Sequence, residues 1–200
     1  MAELDRWQTR FDVPDYLFGK EPNAFLEAQA PRLRGLKTAL SVADGEGRNG
    51  VWLAEQGLDV LAVDFSAVAL GKARALAEER GVRLTTELAD ITTWRWPAQA
   101  FDVIVAIFIF VPPPARPAYF ANLKKALKPG GLLLIEGYRP EQINNRTGGP
   151  PDAERLYTRP MLEAAFGDMA ELDIRERDEV IHEGAGHVGM SALIDLIGRK

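Results

Sequence analysis

The sequence predicts an α/β domain with a doubly wound, mostly parallel sheet, and three observations support this. Apolar runs of strand length alternate with helical segments along most of the chain. A glycine-rich turn at residues 43–50 follows the first of these runs. Two long segments late in the chain flank a glycine-containing turn at residues 183–186, which is typical of an antiparallel hairpin. Alternating strands and helices form βαβ units with right-handed crossovers, so the central strands are expected to be parallel.

Each predicted element is defined by an apolar run and by the residues at its ends. The fourth strand is apolar nearly throughout, as strands covered on both faces are. Ser66 is a good N-cap, and Gly81 a good stop, for the helix between them. The predicted strands are residues 38–43, 59–63, 82–87, 101–110 and 132–136, followed by the hairpin segments 169–182 and 187–198. The predicted helices are residues 22–30, 48–56, 67–80, 117–127 and a last one that Thr158 caps and that runs to Phe166.

Length and composition restrict the class of protein. A length of two hundred residues predicts one domain with one core. We divide the chain into an N-terminal lid or leader, residues 1–35, and a main domain, residues 36–200. The net charge of −5 disfavours nucleic acid as a partner, because an acidic chain gains little from phosphate. The absence of cysteine excludes disulfides, thiolate metal sites and a cysteine nucleophile. With two histidines and no H-E-x-x-H motif, no metal site is expected.

The sequence also carries no visible targeting or membrane signal. Its first residues lack a basic segment followed by an apolar stretch, so no signal peptide is predicted. The longest apolar run, residues 103–111, is far too short to span a bilayer. We therefore expect a cytoplasmic location and no membrane partner, with either a monomer or a homodimer as the assembly.

The glycine-rich turn predicts a nucleotide site. Gly45, Gly47 and Gly50 satisfy G-x-G-x-x-G between a strand and a helix, as in Rossmann-like folds, where glycine lets the backbone approach a ligand. Asp64 ends the second strand, where an acid accepts hydrogen bonds from ribose hydroxyls. The alternatives are a simple tight turn and, for Asp64, a charge at the start of a helix.

The charge of the glycine-rich loop and the residues after the third strand indicate which nucleotide or nucleoside fits the site. Asp44 and Glu46 lie in the loop and would repel a pyrophosphate, whereas the amino group and sulfonium of S-adenosylmethionine are positive. Asp90 follows the third strand and can accept a hydrogen bond from an adenine amino group, with Ile91 packing on the ring. Asp90 as an ordinary polar residue at a strand end is the alternative.

The glycine-rich turn, Asp64 and Asp90, taken with two later motifs, resemble the pattern of the class I S-adenosylmethionine-dependent methyltransferases. The later motifs are Phe-Asp-Val-Ile-Val-Ala at residues 101–106 and Leu-Lys-Pro-Gly-Gly-Leu-Leu-Leu-Ile-Glu at residues 127–136. A narrower group, the small bacterial methyltransferases similar to tellurite-resistance (chalcogen) enzymes, is indicated by four further segments, residues 18–23, 45–49, 147–151 and 183–189.

The resemblance implies a seven-stranded sheet of six parallel strands and one antiparallel strand, with S-adenosylmethionine bound at the carboxyl ends of the strands. It implies that the ribose lies at Asp64. It also implies that Ala106 lies beside the sulfonium. Because the N-terminal segment folds over the donor in the narrower group, Tyr16 and Arg48 are further expected contacts. The full set of implied cofactor contacts is Tyr16, Ala43, Gly45, Gly47, Arg48, Asn49, Asp64, Phe65, Asp90, Ile91 and Ala106. The chain departs from the family pattern at Ser41, Ala43 and Asp44, where an acid, a glycine and another residue are usual.

Methyl transfer requires alignment of nucleophile and methyl group and exclusion of water, and it needs no metal. The fourth strand ends in Val111-Pro112-Pro113, and Val111 cannot accept a hydrogen bond from an amino group, which disfavours methylation of nucleobases or amides. His187 is the candidate catalytic base or acceptor contact. The alternative interpretation is that His187 is a partly exposed histidine on a strand, without a role in the reaction. Tyr138 either lines the pocket or packs under a loop.

The sequence therefore predicts methyl transfer from S-adenosylmethionine to a small molecule, with a chalcogen oxyanion or a thiol as the suggested acceptor. Two alternatives stay open. The literal G-x-G-x-x-G motif also fits an NAD-binding oxidoreductase. The departures at Ser41 and Ala43 also fit a nucleoside-binding module without catalysis.

Overall fold

A computed structural model describes residues 3–200, and one seven-stranded sheet organises them. The strands are β1 Thr38–Val42, β2 Asp59–Asp64, β3 Thr85–Leu88, β4 Phe101–Ile107, β5 Leu127–Tyr138, β6 Glu171–Glu183 and β7 His187–Arg199. Their order across the sheet is β3-β2-β1-β4-β5-β7-β6. Neighbours among β1 to β5 pair in parallel, and β7 is antiparallel to both β5 and β6. The predicted sheet of six strands in one direction and one in the other is confirmed.

Side chains of the central strands alternate between two apolar cores, one on each face of the sheet. Leu40 and Ile104 enter the first core, and their strand neighbours Ala39 and Val103 enter the second. Because both faces are covered, these strands have the near-continuous apolar sequence of a parallel sheet.

Helices cover both faces. They are α1 Glu3–Phe11, α2 Ala24–Ala28, α3 Arg48–Glu55, α4 Ala67–Glu79, α5 Arg116–Ala126, α6 Gln142–Asn145 and α7 Arg159–Phe166, with 3₁₀ turns at Ala30–Leu33 and Ala153–Arg155. Both predicted caps are confirmed. Ser66 accepts a hydrogen bond from the Ala69 amide at 3.2 Å, and Thr158 accepts one from the Met161 amide at 3.4 Å.

Four predicted boundaries were wrong, and two of them have a local reason. The fourth strand ends at Ile107, because Phe108 has a φ of +56° that strand geometry excludes. The third strand pairs only at Thr85–Leu88, and the fifth extends over Leu127–Tyr138. The helix predicted at residues 22–30 spans only Ala24–Ala28, since Asn23 caps it by accepting a hydrogen bond from the Leu26 amide.

The segment before the sheet contains a helix that the sequence analysis did not predict, α1. No helix within residues 3–200 is both long and apolar enough to cross a membrane. The division at residue 35 stays a prediction.

Candidate functional site

A cavity of about 640 Å³ lies at the carboxyl ends of the parallel strands. Its walls come from the ends of β1, β2 and β4, from α1, from residues 148–151 and from the start of β7. This is the edge at which parallel α/β sheets bind ligands, and the volume suits a nucleoside-sized molecule. The predicted site residues that line it are Ala43, Gly45, Arg48, Asn49, Asp64, Phe65, Asp90, Ile91 and His187.

Asp64 ties the second strand to the glycine-rich loop. One carboxylate oxygen accepts a hydrogen bond from the Gly45 amide at 2.9 Å, and the other accepts one from the Ser66 amide at 2.8 Å. The side chain is buried, and burial raises the pKa of Asp64. A carboxylate has about four lone-pair sites, so each oxygen can still accept a hydrogen bond from a ligand hydroxyl.

Asp44 is a second buried carboxylate on the cavity wall. It accepts a hydrogen bond from the Ser41 hydroxyl at 2.5 Å and from the Gly50 amide at 3.1 Å. A Cβ at Gly50 would collide with this carboxylate, so glycine at position 50 is required by the position of Asp44. Ser41, which replaces the usual acid of β1, thus serves as a partner of Asp44.

Glu46 does not face the cavity, which corrects the charge argument for this residue. Its carboxylate forms an ion pair with Lys72 at 2.6 Å and accepts a hydrogen bond from the Leu17 amide at 2.8 Å. Glu46 therefore holds the segment that follows α1 against α4, and its charge is neutralised locally. Of the two loop acids, Asp44 alone lines the cavity.

Arg48 and Asn49 also connect the loop to the N-terminal segment and the hairpin. Arg48 forms a buried ion pair with Glu183 at 2.6 Å through Nη2, while its Nη1 is buried without a hydrogen-bond partner. The side-chain oxygen of Asn49 accepts a hydrogen bond from the Asn23 amide at 3.0 Å. A buried guanidinium nitrogen without a partner at a cavity wall is a donor that a ligand can use.

His187 is 8% exposed, so it is not the partly exposed strand histidine of the alternative interpretation. Its ring lies between Phe18 and Phe108, with centroid distances of 4.5 and 4.4 Å. Nδ1 lies 4.0 Å from the Glu183 carboxylate, beyond hydrogen-bond distance, and is buried without a partner. Burial lowers the pKa of His187, so the imidazole is neutral near neutral pH and can accept a proton.

The residues expected at an adenine ring lie together at the ends of β2 and β3. Asp90 is exposed, and one of its oxygens accepts hydrogen bonds from the Thr92 amide and hydroxyl at 2.8 and 2.7 Å. Phe65 and Ile91 are half-buried on the same cavity wall. These two side chains provide apolar surface of the kind on which a flat base packs.

The structure places three expected contacts outside the cavity wall. The Tyr16 hydroxyl donates a hydrogen bond to the Lys72 carbonyl at 3.0 Å, so this side chain packs on α4. Gly47 packs against Ala73, because an added Cβ would lie 2.6 Å from the Ala73 Cβ. Ala106 is buried in one core, while the next two residues of the chain line the cavity. Tyr138 is also buried and packs beneath Phe108 and Phe110.

Helix α1 supplies lining residues that the sequence analysis missed. Trp7 and Phe11 stack with a centroid distance of 5.4 Å, and the Phe11 ring lies over Gly45. Two signals were available: Glu3 and Asp5 in the first turn, and the i, i+4 spacing of the two aromatic residues.

Comparisons with known proteins agree with this architecture. A family model described as a methyltransferase domain matches residues 39–131. Thiocyanate methyltransferase 1 from Brassica oleracea is 32% identical over 120 residues, which cover 58% of this chain and 51% of that protein. Phosphoethanolamine N-methyltransferase 1 from Triticum aestivum is 34% identical over 107 residues, which cover 53% and 22%. The matches thus span about a fifth to a half of the length of these relatives.

Solved structures show the same fold over nearly the whole chain. TehB from Haemophilus influenzae superposes with a TM-score of 0.74 at 19% identity, covering 98% of this chain and 66% of that one. The N-methyltransferase NodS from Bradyrhizobium japonicum WM9, in complex with S-adenosyl-L-homocysteine, superposes with a TM-score of 0.70 at 14% identity, covering 98% and 97%. The chain therefore has the class I methyltransferase fold.

The matched methyltransferase domain identifies S-adenosylmethionine as the cofactor. The cavity passes a test of fit. Asp64 offers carboxylate lone pairs, Gly45 brings backbone to the wall without a side chain, and Phe65 offers an apolar face. The prediction of S-adenosylmethionine as the cofactor is confirmed.

Proposed function

We propose that this chain transfers the methyl group of S-adenosylmethionine to a small, soft nucleophile, a chalcogen oxyanion or a thiol. One observation carries the proposal. A single cavity joins the wall at Asp64, which suits a nucleoside, to an aromatic wall at Phe108 and His187, so donor and acceptor can bind side by side in it.

Asp64, Gly45, Phe65 and Ile91 are the residues that would hold the donor. When bound, the cofactor supplies a methyl group on a positively charged sulfur, which is already activated. The remaining task of the protein is to align the acceptor with that methyl group and to keep water out. The side chains of α1 line one side of the cavity and help to keep water out.

The acceptor end has features that suit a small, soft nucleophile. Phe108, Phe110 and Val111 give an apolar wall, and Val111 offers no hydrogen-bond acceptor for an amino group. His187, neutral near pH 7, can take the proton of a thiol as it reacts. The unpartnered Nη1 of Arg48 can donate to an oxyanion.

Relatives support the chalcogen class without identifying the acceptor. The thiocyanate methyltransferase of Brassica oleracea is named for a sulfur-containing acceptor, whereas the phosphoethanolamine N-methyltransferase of Triticum aestivum is named for an amine. The apolar wall at Val111 is the feature of this chain that favours the former.

The first prediction concerns turnover. Purified protein is incubated with S-adenosylmethionine and separately with selenite, tellurite, small thiols and small amines, and S-adenosylhomocysteine is quantified by mass spectrometry. We expect acceptor-dependent product with at least one chalcogen acceptor, well above the rate without acceptor. Asp64→Asn should bind the cofactor more weakly, because the neutral amide is a poorer acceptor for ribose hydroxyls and its single oxygen can keep only one of the Gly45 and Ser66 hydrogen bonds.

Turnover confined to amines would overturn the acceptor class and leave methyl transfer standing. Binding of S-adenosylmethionine without turnover on any acceptor would favour the non-catalytic module. Binding of NAD but not of S-adenosylmethionine would overturn the proposal as a whole.

A further inference from the structure

Asp44 is a buried carboxylate on the cavity wall that lacks a cationic partner. No ion pair among residues 3–200 involves it, nor Asp64 beside it, which the amides of Gly45 and Ser66 hold instead. Three glutamates of the surrounding elements are paired. Glu46 pairs with Lys72, Glu183 with Arg48, and Glu136 with Arg177. A buried charge without a counter-ion is costly, so its retention at a ligand cavity needs a reason.

The charges that face Asp44 do not supply that counter-ion. Asp64, at the end of β2, opposes ionisation of Asp44, and Arg48 of α3 favours it only at a distance, since its guanidinium pairs with Glu183. Ser41 of β1 contacts Asp44 directly, and its hydroxyl can donate to a carboxylate or accept from a carboxylic acid. The site therefore accommodates Asp44 in both protonation states.

We propose that Asp44 is the counter-ion for the α-ammonium group of the cofactor's methionine part and that it gives up a proton when the cofactor binds. This inference rests on the proposed function, because it assumes that the cavity takes an amino-acid-bearing nucleoside. The Asp44 carboxylate lies on the same loop as Gly45, three residues beyond Ser41. The backbone of Gly45 and the charge of Asp44 can therefore act on neighbouring parts of one ligand.

The direction of the pH effect follows from the state of the free protein. Burial raises the pKa of Asp44 to about 7. A bound ammonium stabilises the carboxylate and lowers this pKa, so below about pH 7 the ligand must displace a proton. Affinity is therefore highest above pH 7 and weakens as the pH falls, by up to about tenfold per unit for one proton.

The test compares two ligands that differ by the amino-acid part, its ammonium and its carboxylate together. S-adenosylhomocysteine carries the amino-acid part, and 5′-methylthioadenosine has the same nucleoside without it. Isothermal titration calorimetry from about pH 5.5 to about pH 8, in buffers of different ionisation enthalpy, gives affinity and proton release for each. Asp64 and His187 also line the cavity and have shifted pKa values, so a difference between the ligands is assigned to Asp44 only where Asp44→Asn removes it.

Asp44→Asn keeps the acceptor oxygen for the Gly50 amide and removes the charge. We expect S-adenosylhomocysteine to bind this variant roughly 10- to 100-fold more weakly at pH 8, without proton release, while 5′-methylthioadenosine changes less than about threefold. The matched control is Asp102→Asn, the same chemical change at the opposite end of the sheet, where Asp102 pairs with Lys128 at 3.0 Å. It should leave both affinities unchanged.

Equal weakening of both ligands in Asp44→Asn would overturn the inference, because a merely structural role affects both. So would wild-type binding of S-adenosylhomocysteine with no excess proton release over 5′-methylthioadenosine, a measurement that needs no variant. Failure of both ligands to bind the wild-type protein would instead overturn the proposed function, and the inference with it.

Discussion

At the scale of single residues, backbone strain is concentrated at the cavity. Four non-glycine residues among those described have a positive φ, and two of them, Ala43 at +46° and Phe108 at +56°, line the cavity. Each follows the end of a parallel strand, where the chain turns sharply towards the next helix or loop. Strained residues persist where the surrounding structure holds them, and they are common at functional sites.

Replacement of Ala43 by glycine is predicted to stabilise the protein. Relief of the left-handed strain contributes about 1–2 kcal/mol, and the added freedom of the unfolded chain offsets about 0.4–1 kcal/mol. The free energy of unfolding, measured by urea denaturation, should therefore rise by roughly 0.5–1 kcal/mol. Gln99→Gly is the matched control, since Gln99 has a φ of +48° but lies outside the cavity. Stabilisation by Gln99→Gly with destabilisation by Ala43→Gly would contradict the strain argument.

Predicted site residues that directly follow a strand line the cavity. Asp64 and Ala43 came together because the carboxyl ends of parallel strands share one edge of the sheet. Gly47 and Tyr16, whose surroundings come from α4, do not line it. Contacts between elements distant in sequence are not encoded by spacing within a motif.

At the scale of elements, the turn between β6 and β7 holds the segment that follows α1. The Gly186 amide donates a hydrogen bond to the Leu17 carbonyl at 2.9 Å. Gly184, with a φ of +65°, lies so close to the backbone of Phe18 and Gly19 that a Cβ there would overlap them. Because the turn also carries Glu183, the partner of Arg48, it connects the hairpin, the glycine loop and the N-terminal segment.

Gly184→Ala is predicted to loosen this segment. The overlap must displace residues 17–19 or the turn, at a cost of about 1–3 kcal/mol of stability. Tryptic cleavage after Lys20 should become faster, and thermal unfolding should occur at a lower temperature. Gly71→Ala is the control, because Gly71 lies within α4 with open space around it and should gain about 0.5–1 kcal/mol. Unchanged proteolysis of Gly184→Ala would show that the turn does not hold the segment.

Elements of the core were largely predictable, and those at its margins were not. Apolar runs covered on both faces marked β1, β2 and β4 because burial dictates their composition. The edge strand β3 and the helix α1 carry weaker signals, since β3 pairs on one side only and α1 is mostly exposed. Their positions depend on what they pack against, which composition does not specify.

At the scale of the whole molecule, the sheet is well packed, whereas helix α1 at the cavity packs less extensively against the rest of the protein. The sheet has an apolar core on each face, whereas only Phe11 of α1 is buried. Helix α1 is therefore expected to open at a lower free energy than the sheet. The cavity wall combines a rigid side, the strand ends, with a side that can open to admit a ligand.

This difference leads to a prediction for amide hydrogen exchange. Because α1 and the strand ends line one cavity, S-adenosylhomocysteine that fills it would contact both sides, and each contact with α1 would add to the free energy of its opening. Exchange in residues 3–11 and 15–19 should become several-fold slower with saturating ligand, while exchange in the hairpin away from the cavity, residues 171–177, should not change. Mass spectrometry of peptides from free and saturated protein measures both regions together. Protection confined to the glycine loop, with α1 exchanging at its free rate, would show that α1 does not close over the bound nucleoside.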